Sequence, residues 1–352
     1  MKTFNFDHVF WTATGQAEIY RTMAQPLVDS LLGGYNVCLF GYGQTGSGKT
    51  YTMMGGDSTV ESGIIPRFYN DLLNRIQQMT DNGLIEATNC EISYFEVYNE
   101  RIYDLLTPPP KVEKPKRPLF STSPYQPPPK PKPSLQIRES SERGVFIPGL
   151  TTRTVSHQAD ADQCLRAGNE QRATASTGMN EKSSRSHSIF QISLKLKGLN
   201  GQKSINCRAN LIDLAGSERS DRAGTTGMRL KEGAAINKSL LTLGKVISTL
   251  AENKSGSTEW VPYRDSILTH LLRDSLGGNS QTAMIATVSC AASCKDETLS
   301  TLHYAQKAKA IVNNAKVNEE EEAATIRELQ KEIELLKKSN LFCFTFSKVI
   351  CN

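Results

Sequence analysis

Short apolar runs alternate along this chain with stretches of helical periodicity. NVCLFGYG (Asn36 to Gly43), CEISYFEVY (Cys90 to Tyr98), SIFQISLKL (Ser188 to Leu196), CRANLIDLAG (Cys207 to Gly216) and TAMIATVS (Thr282 to Ser289) read as strands. Between them AEIYRTMAQPLVDSLL, GSGKTYTMM, DADQCLRAGNEQRA, EGAAINKSLLTLGKVISTLAE and DETLSTLHYAQKAKAIV read as helices. Strands separated by helices predict a layered α/β domain around a central sheet. No internal repeat is visible.

One stretch interrupts this pattern. Residues 107–134 hold eleven of the fifteen prolines, and proline neither continues a helix nor donates to a sheet ladder. The reading is a solvated, extended insertion within one domain, because the flanking segments look ordered. Pro115–Pro118 and Pro124–Pro127 are PxxP patterns open to an SH3-type partner, with a plain loop as the bland alternative. The same stretch carries six basic residues against Glu113, so the remaining 35 basic and 35 acidic residues balance and the net charge of +5 belongs to the insertion. A surface for an acidic partner elsewhere must therefore come from local clustering.

With 38% hydrophobic residues in 352, the chain has material for a sizeable core. No apolar run approaches the roughly 18 residues of a membrane span, and MKTFNFDHVFW has no signal-peptide core. Eight scattered cysteines, with Cys290 and Cys294 lacking partner histidines, read as reduced thiols in the cytosol.

The strongest chemical signal is Gly43-Gln44-Thr45-Gly46-Ser47-Gly48-Lys49-Thr50, a full GxxxxGK[ST] between an apolar strand and a helical stretch. Its backbone N–H groups and the helix N-terminus suit phosphate oxygens. Lys49 suits the β- and γ-phosphates, and the Thr50 hydroxyl suits Mg²⁺. Asp213-Leu-Ala-Gly216 ends a strand, where an acid can order water around Mg²⁺ and a glycine N–H can sense the γ-phosphate. Alone that motif is equally a turn. Asn180-Glu-Lys-Ser183-Ser184-Arg185-Ser186-His187 adds an amide and hydroxyls beside a cation.

GQTGSGKT (43–50), NEKSSRSH (180–187), DLAGSE (213–218), LKEGAAINKSLLTLGKVI (230–247) and VPYRDSILTHLLRDSLGGNSQTAMIATVS (261–289) together resemble a kinesin motor domain, in family order over residues 4–338. The sequence is most similar to the kinesin-3 group and its cytokinesis-linked branch, although ENKSGSTEW offers only Lys254 where that group's transporters carry a lysine-rich loop. The resemblance implies a P-loop NTPase fold with a central mixed, mostly parallel sheet flanked by helices on both faces. It implies ATP and Mg²⁺ as ligands, with Gly43 to Tyr51 binding nucleotide and Thr50, Ser184 and Asp213 around the metal. Residues 180–187 resemble switch I, with Asn180 facing the phosphates, Ser184 joining Thr50 in the Mg²⁺ shell and Ser183 a further catalytic candidate. Residues 213–218 resemble switch II, with Gly216 on the γ-phosphate and an Arg185–Glu218 ion pair closing the two switches.

The implied partner is the microtubule, met by the helix starting near Leu230 and the Tyr263–Arg273 segment. Arg219, Arg222, Arg229, Lys231, Lys238, Lys245, Arg264 and Arg273 are the candidate cations for acidic tubulin. The stripe Ile236, Leu240, Leu243, Ile247 and Leu250 reads as core. Neither nucleic acid nor direct membrane insertion is expected, and the cytoplasm and microtubule cytoskeleton are the expected location. Residues 1–311 form the motor part, 312–325 a neck linker and acidic link, 326–338 either a short neck helix folding back on the motor or a coiled-coil seed for a weak dimer at most, and 339–352 an atypical tail.

Met1 falls where the segment after the family's first strand would begin, so a gap in the sheet is expected and the adenine side rests on Tyr51. A plus-end-directed motor coupling ATP hydrolysis to neck-linker docking is the leading reading. The alternative is a catalytically impaired microtubule-binding module or truncated isoform.

Overall fold

VCLFGY forms the strand β1 (Val37–Tyr42), and all six of its residues are buried because protein covers both faces. Val37 and Leu39 enter one core, while Cys38, Phe40 and Tyr42 enter the other, the alternation of a pleated strand. This computed structural model describes residues 2–56, 58–107, 134–140, 144–174, 182–199, 204–218, 228–252, 260–319, 325, 332–333 and 335–336, without the side chains of 174, 182–183 and 228–237. The expectations for Asn180, Arg219, Arg222 and Lys254, for the proline-rich insertion at 108–133 and for the tail at 339–352 lie outside these residues.

The first core is roofed by α1 (Gln16–Met23), α2 (Gln25–Leu32) and α4 (Ile64–Asp81); the five-residue α3 (Lys49–Met53) follows β1. The single helix predicted over 17–32 divides at Ala24, because Pro26 fits only the first turn of a new helix. Helix α4 is absent from the sequence prediction. Yet Ile64, Ile65, Phe68, Tyr69, Leu72, Leu73 and Ile76 are all buried, the spacing of one apolar face.

The main sheet adds β2 (Ile85–Tyr98), β3 (Arg101–Asp104), β6 (Arg153–Thr154), β7 (His187–Gly198), β8 (Ser204–Asp213) and β9 (Gln281–Ala286). A separate hairpin joins β4 (Arg138–Ser140) to β5 (Gly144–Phe146). The order is β3-β2-β7-β8-β1-β9, with β6 beside β2. Among the described residues only the β1–β8 and β1–β9 pairings are parallel; β2 with β3, β6 and β7, and β7 with β8, are antiparallel. The expectation of a mostly parallel sheet is thus corrected. Asn99 and Glu100 alone connect β2 to β3, both with positive φ (51° and 52°), a two-residue turn that joins only antiparallel strands. Residues 199–203 connect β7 to β8, too short for the crossover a parallel pair needs. The expected gap does not open inside the sheet either: the order runs unbroken among the described residues, with β9 at the margin.

On the second face lie α6 (Met228–Glu252) and α7 (Ile267–Leu271). Leu240, Leu243, Val246 and Ile247 pack there with Phe40, Phe95 and Leu268, and Leu250 packs against the same cluster. Helix α5 (Gln158–Thr174) lies against β2 on the first face. A Cβ at Gly168 would stand 2.0 Å from the Tyr94 ring, so glycine there lets α5 approach closely. Helix α8 (Lys295–Lys309) stacks Tyr304 on Tyr42 at 4.1 Å between centroids.

Candidate functional site

Three parallel strands end side by side, and the crevice beyond the carboxyl ends of such strands is where open α/β sheets bind ligands. The register sets Gly41 of β1 opposite Asp213 of β8 and Tyr42 opposite Ala286 of β9. The loop Gly43–Gly48, the segment after Asp213 and Thr287 therefore meet at one place. Gly46 and Gly48 adopt φ of +79° and +100°, and added Cβ atoms would touch nothing within 4 Å. Glycine is needed there for conformation, and it leaves the backbone amides open. Gly48 precedes α3, which begins at Lys49.

Lys49 is only 6% exposed and donates from Nζ to the Gln44 carbonyl at 2.8 Å. Burial pulls its ammonium below the ordinary value, and the charges of Asp213 and Glu218 oppose that pull. Ser47 donates to Gln44 O at 2.7 Å and meets the Thr287 hydroxyl at 2.7 Å. Thr50 Oγ1 donates to Asp213 Oδ2 at 2.8 Å. Asp213 is 1% exposed, and its other oxygen is buried without a hydrogen-bond partner. Burial pushes this carboxyl upward, against Arg172, Thr50 and Lys49. Thr45, Gly46, Gly48, Lys49, Thr50, Tyr51 and Ser184 line a pocket of about 300 Å³. The Thr50 hydroxyl, the orphan Asp213 oxygen and nearby Ser184 form an oxygen-rich set that suits a hard divalent cation.

The segment from Asp213 to Glu218 is tied to both neighbouring loops. Gly216 N donates to Ser184 O at 2.9 Å, and Ser217 N donates to Gly43 O at 3.0 Å. The Glu218 carboxylate accepts from Thr45 N at 2.7 Å and from the Thr45 hydroxyl. Two of the expected contacts are replaced by others in this structure. The Gly216 amide faces the Ser184 carbonyl, because the two segments lie edge to edge. No Arg185–Glu218 ion pair occurs among the described contacts, because the carboxylate is held by Thr45 across the loop. Arg185 closes a short 3-10 turn, Lys182–Arg185, that also contains Ser183.

Three further residues at this site have no role assigned by the sequence alone. His187 is buried, accepts the Ala215 N–H at Nδ1 (3.0 Å) and lies 2.8 Å from Ser239 Oγ through Nε2. An acceptor Nδ1 leaves the proton on Nε2, so a neutral ring bridges β7, the Asp213–Glu218 segment and α6. Burial lowers its pKa to about 3. Arg172 of α5 is 8% exposed, lies 4.0 Å from Asp213 Oδ2 and leaves Nε and Nη2 without hydrogen bonds. Gln16 is 6% exposed and donates to the Tyr51 carbonyl at 2.7 Å, anchoring the backbone of a ring that is itself 51% exposed. The SSRSH motif flagged the neighbourhood of His187, whereas single residues of α1 and α5 carry no local signal.

Beyond α8 the chain runs back over the strand ends opposite the pocket. Asn313 accepts from Gly277 N at 2.7 Å and donates to Ser275 O and Ser280 O at 2.9 and 2.7 Å. Asn318 N reaches Gly34 O at 2.8 Å, and its carbonyl accepts from Asn206 N at 3.0 Å.

Comparison with known proteins agrees with this geometry. Residues 1–311 match the kinesin motor domain. The chain is 49% identical over 348 residues to mouse kinesin-like protein KIF14, covering 95% of this chain and 20% of that protein. It is 43% identical over 353 residues to human kinesin-like protein KIF13B, covering 96% of this chain and 18% of that one. The chain thus spans about a fifth of the length of these curated relatives. Among solved structures, KIF14[391-772], a dimer with AMP-PNP in complex with a microtubule, aligns with a TM-score of 0.80 at 48% identity over 93% of this chain and 87% of that one. A fast kinesin aligns with a TM-score of 0.77 at 40% identity over 90% and 82%. The chain belongs to the kinesin motor domain family.

Proposed function

We propose that this chain is a microtubule-based motor that hydrolyses ATP and moves toward plus ends. The observation that carries this reading is the hydrogen-bonded junction of Thr45, Ser184 and the Asp213–Glu218 segment at the ends of β1 and β8. A change at the phosphates there must be felt by both switch-like segments. In this reading the amides of Gly43 to Gly48 and the Lys49 ammonium hold the phosphates, and Tyr51 flanks the base. Thr50, Ser184 and Asp213 hold Mg²⁺, which when bound neutralises charge on the β- and γ-oxygens. Asn180, Ser183, Arg185, Gly216 and Glu218 position the attacking water and register loss of the γ-phosphate. His187 carries the motion of the 213–218 segment to α6, and residues 312–319 act as the linker whose docking does the mechanical work.

A second reading keeps the microtubule contact but impairs catalysis. The Glu218 carboxylate already occupies the Thr45 amide that a phosphate would use, and the base side offers a half-exposed Tyr51. The PxxP patterns add a separate test, in which deleting 107–134 removes an SH3-type partner if that insertion recruits one. Cosedimentation with microtubules in AMP-PNP and in ADP decides between the two main readings. A motor binds tightly in the first and weakly in the second; equal binding in both supports the impaired module.

A further inference from the structure

Two of the cations expected to face an acidic partner already have an acidic partner inside the chain. Arg264 Nη2 donates to Glu139 Oε2 at 2.8 Å, and Arg273 Nη1 donates to Glu139 Oε1. His270 Nε2 stands 3.6 Å from the same Oε2. The arginine side chains are 70% and 45% exposed, and that of Glu139 is 28% exposed. The pairs therefore sit on the surface, where ion pairs exchange partners readily. Glu139 comes from β4, a three-residue strand paired only with β5 among the described residues, and from neither helix of the track-facing surface. By contrast, Lys238 and Lys245 on α6 are exposed and have no ion pair with a described residue. Arg264 and Arg273 thus already share a carboxylate from a neighbouring hairpin, whereas Lys238 and Lys245 of α6 have no such partner among the described residues.

We infer that Glu139 is an internal counter-anion that competes with the acidic surface of polymerised tubulin for Arg264 and Arg273. This rests on the microtubule reading above and deepens it. To engage either arginine, an acidic side chain of the track must displace Glu139. The hairpin therefore sets how strongly, and with what salt dependence, this segment binds. A surface carboxylate with two guanidinium donors lowers their value to any outside anion without burying charge, so the effect is tunable at little cost in stability.

The test uses Glu139→Gln, which keeps shape and removes charge. In microtubule cosedimentation with AMP-PNP at several KCl concentrations, the variant is expected to half-saturate at about threefold to tenfold lower microtubule concentration at low salt. The gain should shrink as salt rises. Adding Arg264→Ala and Arg273→Ala should abolish it. Titration with poly-L-glutamate provides an arm independent of the track: Glu139→Gln should bind it more tightly even if the wild type fails to bind microtubules, an outcome that would fault the motor reading alone. Thermal melting checks that the variant is folded. Binding by Glu139→Gln equal to or weaker than wild type on both anions, or a gain that persists without the two arginines, overturns the inference.

Discussion

Asp213 and Glu139 are each a carboxylate beside two or more cations, yet their chemistry runs in opposite directions. Asp213 is 1% exposed, and burial raises its carboxyl even with Arg172, Thr50 and Lys49 around it. Glu139 is partly open, and hydrogen bonding from Arg264, with the charge of Arg273, holds its carboxyl below the usual range. Burial, more than the number of partners, decides the sign. The buried centre keeps fixed charges at low dielectric, where they can act on phosphate and metal. The open centre holds charges that water screens, which suits reversible contact with a large acidic partner.

Removing Lys49 breaks the buried centre most severely. Lys49→Ala should lower turnover by about a hundredfold to a thousandfold, as loss of a preorganised donor does, and steady-state phosphate release measures it. Next comes Arg172→Met, which strips Asp213 of a buried neighbour and should cost about 3 kcal/mol in denaturant unfolding. The matched change at an exposed pair sharpens the contrast. Lys197 lies 3.5 Å from Glu86 with both side chains more than half exposed, so Lys197→Met should cost under about 1 kcal/mol.

Between these falls a pH effect. His187 drops from the ordinary 6.5 to about 3 in the folded chain, so below pH 6.5 the unfolded chain binds a proton that the native chain refuses. Stability should fall with a slope of about 1.4 kcal/mol per pH unit until the pH nears 3. The raised Asp213 carboxyl works in the opposite sense. The readout is therefore the difference between wild type and His187→Asn, whose curve should be flatter through that window.

How much of this was legible in the sequence depended on distance along the chain. The phosphate loop, Asp213 and the SSRSH stretch are contiguous and marked by residue types with few other uses, and all three meet where the strands end. Helix α4 is legible too, in the spacing of Phe68, Tyr69, Leu72 and Leu73, but no motif marks it. The Glu218–Thr45 contact joins residues 173 positions apart, and nothing local distinguishes it from the expected pairing with Arg185. The antiparallel half of the sheet was hidden for a different reason: Asn99 and Glu100 make a tight turn without the Asn-Gly pair that usually signals one. Arg172 reaches Asp213 because Gly168 lets α5 settle against Tyr94, a packing fact with no sequence period.

The account stands most directly on ATP hydrolysis by this chain with and without polymerised microtubules. It predicts slow basal turnover, strong stimulation by microtubules and loss of both in Lys49→Ala. Turnover unchanged by microtubules in folded protein, or undiminished by Lys49→Ala, would contradict it.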